Sequence, residues 1–189
     1  MKILGIETSV KQSSAAIVVE NVLNKAQSSF NDIDGIAISM GPGSFTGLRV
    51  GLSYVKGLSL VLDIPIVPIS TFESMINIVK PNPGKVIQTI IHSHGNALYI
   101  AQYISKDKLY VLDSVPKIVD INDLKLKKDM FIIYVGPNKM IDQLNVKEMN
   151  NIQLTALSIA SLGYNNYDFL KTKSINNLAP NYIGSFKLD

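Results

Sequence analysis

One stretch constrains this chain more than any other: Gly41-Pro-Gly-Ser-Phe-Thr-Gly-Leu-Arg-Val-Gly51. It packs four glycines and a proline into eleven residues. An apolar run, Ile36-Ala-Ile-Ser-Met40, leads into it, and a long apolar segment, residues 48–62, leads out. Strand, tight glycine turn, helix is the sequence form of a loop whose backbone approaches something closely. The helix N-terminus then offers free N–H groups beside that turn. The stretch also holds Arg49, the only arginine among 18 basic residues. A lone arginine in a lysine-rich chain hints at a place where the planar guanidinium is needed.

With 189 residues the chain has room for one domain or two small ones, and for a core that needs no staples. The absence of cysteine excludes disulfide frameworks and cysteine-based metal or nucleophile chemistry. The opening, Met1-Lys-Ile-Leu-Gly-Ile-Glu7, reaches a carboxylate after a short apolar run and does not read as a signal peptide. The longest hydrophobic stretch, residues 50–61, is interrupted by Lys56 and Gly57 and is too short to span a bilayer. The expectation is a cytoplasmic protein that makes no use of a membrane. The net charge of +3 is a weak excess. Lys125, Lys127 and Lys128 read as a solvated surface. No basic stripe interleaved with aromatics argues for direct nucleic-acid binding.

Strands are expected over residues 2–7, 15–19 and 35–40, the first two as a hairpin. Weak helical spacing covers residues 21–28. The helix after the glycine turn, residues 46–62, has apolar residues on more than one face and is buried within the domain or partly by another chain. A proline-bounded strand follows within residues 63–69. Ser70 and Glu73 then form a capping box that opens a helix to about Val79. Lys80-Pro-Asn-Pro-Gly84 is the clearest linker. It divides the chain into 1–83 and 84–189. The second part shows strands at 86–91, 99–104, 108–111 and 131–135. Short helices are expected at 120–124 and 138–144, and a longer one at 155–164 with Thr155 as its cap. The tail, residues 176–189, looks extended or irregular. Strands precede helices in both parts, so the class is α/β.

Two places could carry chemistry. Glu7 ends the first strand and is followed by Thr8 and Ser9. Set beside Gly41, Gly43, Ser44, Thr46 and Gly47, it resembles a phosphate-handling cleft. The loop has neither the Walker lysine nor the GxGxxG spacing. A tight turn that only lets the helix pack on the sheet fits these residues equally well. His92 and His94, at i and i+2, could point the same way on a strand and hold a metal. No third ligand lies nearby in sequence, so two solvent-facing histidines is the simpler reading and a metallopeptidase has no support. No GxSxG elbow marks a serine nucleophile.

Taken together, Ile3-Leu-Gly-Ile-Glu-Thr-Ser9, Ser13-Ser-Ala-Ala-Ile17, Ala37-Ile-Ser-Met-Gly-Pro-Gly-Ser-Phe-Thr-Gly-Leu-Arg-Val-Gly51 and Ile64-Pro-Ile-Val-Pro-Ile-Ser-Thr-Phe-Glu73 resemble the TsaB (YeaZ) family. Ala179-Pro-Asn-Tyr-Ile183 is similar to that family's terminal segment. The resemblance implies an actin-like ATPase (RNase H-like) fold of two similar lobes. It implies a non-catalytic role in making threonylcarbamoyladenosine in tRNA, with no cofactor and no metal. The implied partner is a TsaD-like catalytic subunit, with a TsaE-like ATPase reached through the complex, a homodimer as a further form, and tRNA contacted only indirectly. The metal-binding histidine pair of the catalytic relative has no counterpart at Ser70-Thr-Phe-Glu-Ser-Met75. In the family the first two helices form the partner surface. Here that places Arg49, Gly51, Tyr54, Val55 and Leu58 at an interface. The chain departs from the pattern in two ways. Residues 20–34 leave no room for that family's third strand and shorten its first helix. His92-Ser-His94 also stands where the family often has Asp-Ala-Arg. The alternative is a nucleotide-binding, ATPase-like enzyme using Glu7 and the Gly41–Gly47 loop.

Overall fold

The computed structural model describes residues 1–10, 13–19, 30–106, 109–144 and 149–183. They form two compact units, Met1–Ser74 with Leu154–Asn181, and Met75–Gln153 with the chain from Tyr182 onward.

The first unit is built on β1 (Lys2–Glu7), β2 (Ser14–Val19), β3 (Gly35–Ser39) and β4 (Ile66–Ile69), in the order β2-β1-β3-β4. β2 returns antiparallel to β1, with Glu7 opposite Ser14. β1–β3 and β3–β4 are parallel, so the C-terminal ends of three strands lie together. Side chains alternate across the pleat. Leu4, Ile6, Ile36, Ile38 and Ile66 form one core cluster with Leu52 and Val55 of α1 (Phe45–Leu62). Ile3, Ala37, Val67 and Ile69 face the other way and pack with Ile159 of α4 (Ala156–Asn165). Burying each of the leucine, isoleucine and valine side chains contributes about 1.5–3 kcal/mol. Both faces of the sheet are covered, which is why its parallel strands read as near-continuous apolar runs.

The second unit holds β5 (Val86–His92), β6 (Ala97–Lys106), β7 (Leu109–Asp120), β8 (Phe131–Val135) and β9 (Asn150–Asn151), ordered β7-β6-β5-β8-β9. Its core gathers Ile90, Leu98, Ile100, Ile132, Tyr134 and Met140. α3 (Ile141–Leu144) follows a short 3-10 turn after β8. α2 (Thr71–Val79) carries the chain from one unit to the next. Both sheets share one plan: the first strand is flanked by an antiparallel hairpin partner on one side and a parallel strand on the other.

Several expectations need correction. Residues 84–189 do not form one lobe, because Leu154–Asn181 returns to the first unit. Ala156, Ile159 and Ala160 of α4 are buried there and close the odd-numbered face of the sheet. Thr155 makes no side-chain cap. The Ser14 hydroxyl accepts from the Ala156 N–H instead, at 2.9 Å. β7 runs twelve residues where four were expected. Pro116 hid it, but β7 is an edge strand whose register shifts absorb a proline. Among the described residues the first sheet has four strands, and β2 stands at its edge. The helix expected at 21–28 lies outside the described residues.

Candidate functional site

The C-terminal ends of β1, β3 and β4 bring Glu7, the glycine turn and the start of α1 together. Ser44 caps α1, its hydroxyl accepting from the Gly47 N–H at 3.2 Å. The Ser44 N–H donates to the Ser9 carbonyl at 2.6 Å. Chain from the β1–β2 hairpin fills the space above the glycines. A Cβ on Gly43 would strike the Ser9 carbonyl, one on Gly47 the Thr8 carbonyl, and one on Gly51 the Thr8 hydroxyl. The close approach anticipated from the glycines is real, and residues 8 and 9 are what approach. The turn and the first turns of α1 therefore cradle the protein's own backbone. A phosphate expected at Gly43, Ser44 and Gly47 would have to displace it. Thr46 is exposed on the helix surface.

Glu7 is fully buried. Its Oε1 accepts from the Ser9 N–H and Ser9 hydroxyl, both at 2.5 Å, and from the Ser39 hydroxyl at 3.0 Å. Its Oε2 has no partner among the described residues. Loss of solvation pushes the carboxyl up from its ordinary value, against the pull of the Ser9 and Ser39 hydrogen bonds. A carboxylate enclosed in this way has no open approach for a substrate.

α1 sorts its residues by face. Leu48, Gly51, Leu52, Val55 and Ser59 are buried. Gly51 and Val55 are therefore packing residues rather than partner contacts, because the helix turns them toward Thr8 and the sheet. Leu58 is half-buried and packs on the same core cluster. The opposite face carries Val50, Tyr54, Leu60 and Val61, exposed by 62%, 56%, 68% and 82%. Thr46, Ser53 and Gly57 complete this face, and Gly57 has nothing near its Cα to meet a side chain. At 3.6 residues per turn these seven positions form a single uncharged stripe. Arg49 is exposed beside it, its guanidinium 3.7 Å from the centre of the Phe45 ring. The sequence already put Val50, Tyr54 and Val61 on a face apart from Leu48, Leu52 and Val55, but Val50, Leu60 and Val61 were not among the expected interface residues. Once the core ladder 48-52-55-59 is removed, they are what remains.

His92 and His94 do not share a strand. His92 ends β5, and its Nε2 lies 3.0 Å from the Gly95 carbonyl. His94 sits in the following turn, with Nδ1 3.0 Å from the Ser93 hydroxyl. Among the described residues no three His, Cys, Asp or Glu side chains are placed to hold a metal. No helix there is long and apolar enough to cross a membrane. In the segment Ser70–Met75, Thr71, Phe72, Ser74 and Met75 are buried.

Comparison with known proteins follows the same line. The family model described as "TsaD: tRNA N6-adenosine threonylcarbamoyltransferase" matches residues 8–156. The tRNA threonylcarbamoyladenosine biosynthesis protein TsaB of Bacillus subtilis (strain 168) is 26% identical over 134 residues, covering 69% of this chain and 58% of that protein. The tRNA N6-adenosine threonylcarbamoyltransferase of Clostridioides difficile (strain 630) is 51% identical over 57 residues, covering 30% of this chain and 17% of that one. In both cases the match spans less than two thirds of the relative's own length. A crystal structure from Pseudomonas aeruginosa, described as an uncharacterized protein with similarity to peptidase YEAZ, superposes with a TM-score of 0.78 at 16% identity. It covers 97% of this chain and 99% of that one. At that identity the likeness speaks to the fold alone, an actin-like α/β fold with two related units.

Proposed function

The chain belongs to the TsaD family of tRNA N6-adenosine threonylcarbamoyltransferases, on its TsaB (YeaZ) branch, and on that premise we propose that it serves threonylcarbamoyladenosine formation as a non-catalytic subunit. It binds a TsaD-like transferase through the exposed stripe of α1 and leaves the chemistry to that partner. Contact with a TsaE-like ATPase and with tRNA is made through the complex. A second copy of the chain could use the same stripe when the transferase is absent.

The stripe carries this reading. An uncharged face with four large apolar side chains on one 18-residue helix is unusual for a surface turned to water. Ser53 and Gly57 let another helix come close at its centre. The filled cradle and the enclosed Glu7 argue in the same direction, since neither leaves an open catalytic group. The test is genetic and chemical. Deleting the gene in its host lowers the threonylcarbamoyladenosine content of tRNA, and restoring the wild-type chain recovers it. Nucleoside analysis that finds the modification unchanged in the deletion strain sinks the proposal.

A further inference from the structure

The last described part of the first unit does more than close the chain. From α5 (Tyr167–Leu170) onward, residues 172–181 touch α1 and its surroundings at successive points. Thr172 pairs with Ile66 on the free edge of β4, through hydrogen bonds of 2.8 and 2.9 Å. Lys173 Nζ lies 2.8 Å from the carboxylate of Asp63, the left-handed residue that ends α1. Ile175 and Leu178 pack on the core cluster that holds Leu52 and Val55. The Asn181 N–H then donates to the Met40 carbonyl at 2.6 Å. The Asn181 carbonyl sits over Gly41, 2.9 Å from where a Cβ would stand. Gly41 has φ of 101°, which an L side chain rarely adopts, so both its backbone and its bare Cα suit this crossing.

We infer that residues 172–181 are a strap that holds the glycine turn and α1 in place, and so regulates the partner-binding stripe from the far end of the sequence. This rests on the accessory-subunit reading for its functional consequence, though not for its mechanics. The contacts differ in weight. The Lys173–Asp63 pair is exposed and contributes little. The Asn181 hydrogen bond beside the glycine turn and the Leu178 packing on the core cluster under α1 are the fastenings that matter. A glycine turn with few side chains of its own depends on neighbours to fix its shape.

Backbone and side chain can be separated at Asn181, whose side chain is exposed. In the full chain, Asn181→Ala keeps the N–H and Asn181→Pro removes it. Hydrogen–deuterium exchange should show residues 41–48 opening about fivefold more in Asn181→Pro, the effect of one lost hydrogen bond. β1 and β3 should stay protected, and Asn181→Ala should match wild type. Leu178→Ala, which keeps the backbone bond, should raise exchange at the same amides. Affinity for the TsaD-like transferase should fall in step with the exchange. The strap is overturned if Asn181→Pro and Leu178→Ala leave residues 41–48 as in wild type. It is also overturned if exchange rises evenly through the unit, as in simple global loosening. If the wild-type chain fails to bind the transferase, the accessory-subunit reading falls while the exchange measurements still decide the strap.

Discussion

Glu7 shows how one residue can read as part of a nucleotide site and fold as an enclosed carboxylate. A carboxylate at a strand end beside a glycine turn is what a phosphate-handling cleft would look like in sequence. In the structure it is sealed, with Ser9 and Ser39 on one oxygen and nothing on the other among the described residues. Burial raises its folded pKa above the ordinary 4.5. The sign follows from that direction. The stability the group contributes is fully present below the unfolded value and is lost as pH rises through the folded one. Glu7→Gln should therefore gain stability over wild type progressively as pH climbs above 4.5, read as a widening gap in melting temperature. Parallel melting curves across that range would mean that the carboxylate is better compensated than the geometry implies.

The glycines of α1 make a second contrast, and it belongs to the helix as a whole. Gly51 faces the Thr8 side chain, whereas Gly57 faces open space. Gly51→Ala should destabilise the fold by about 1–3 kcal/mol through overpacking. Gly57→Ala should stabilise the isolated chain by up to about 1 kcal/mol through helix propensity. Denaturant unfolding measures both, and equal effects of the same sign would contradict the assignment of faces. The helix itself was legible: the glycine turn and the apolar run marked it to within a residue, though Ser44 as its cap was not foreseen. Its orientation was not, because an apolar helix shows no polar face to point outward. Val55 looked as available to a partner as Tyr54 until the sheet claimed it. β7 escaped for another reason. Its length depends on a neighbouring strand that tolerates Pro116, and propensity does not report neighbours.

For the molecule, the family resemblance carried the two-unit plan, and the repeated strand order agrees with it. The boundary was not readable from the Pro-Gly linker, because membership of a unit is decided by what covers a sheet. Leu154–Asn181 goes back to cover the first one. The same return places residues 172–181 against the glycine turn, a contact between segments some 140 residues apart in sequence. No local pattern could announce it. On the proposed reading, partner binding would be a property of the sheet, the helix and the strap together, with the exposed stripe as its working face.

The most direct test of that account is the affinity of the purified chain for the TsaD-like transferase of its own organism, measured by titration calorimetry for wild type, Tyr54→Asp and Val61→Asp. Both substitutions lie on the surface and should change the stability of the chain by no more than about 0.5 kcal/mol. Wild type should bind, and each variant should weaken binding by at least about thirtyfold, as expected for central apolar contacts. Absence of binding by wild type, or equal binding by all three, would contradict the assignment of α1 as the partner-binding face.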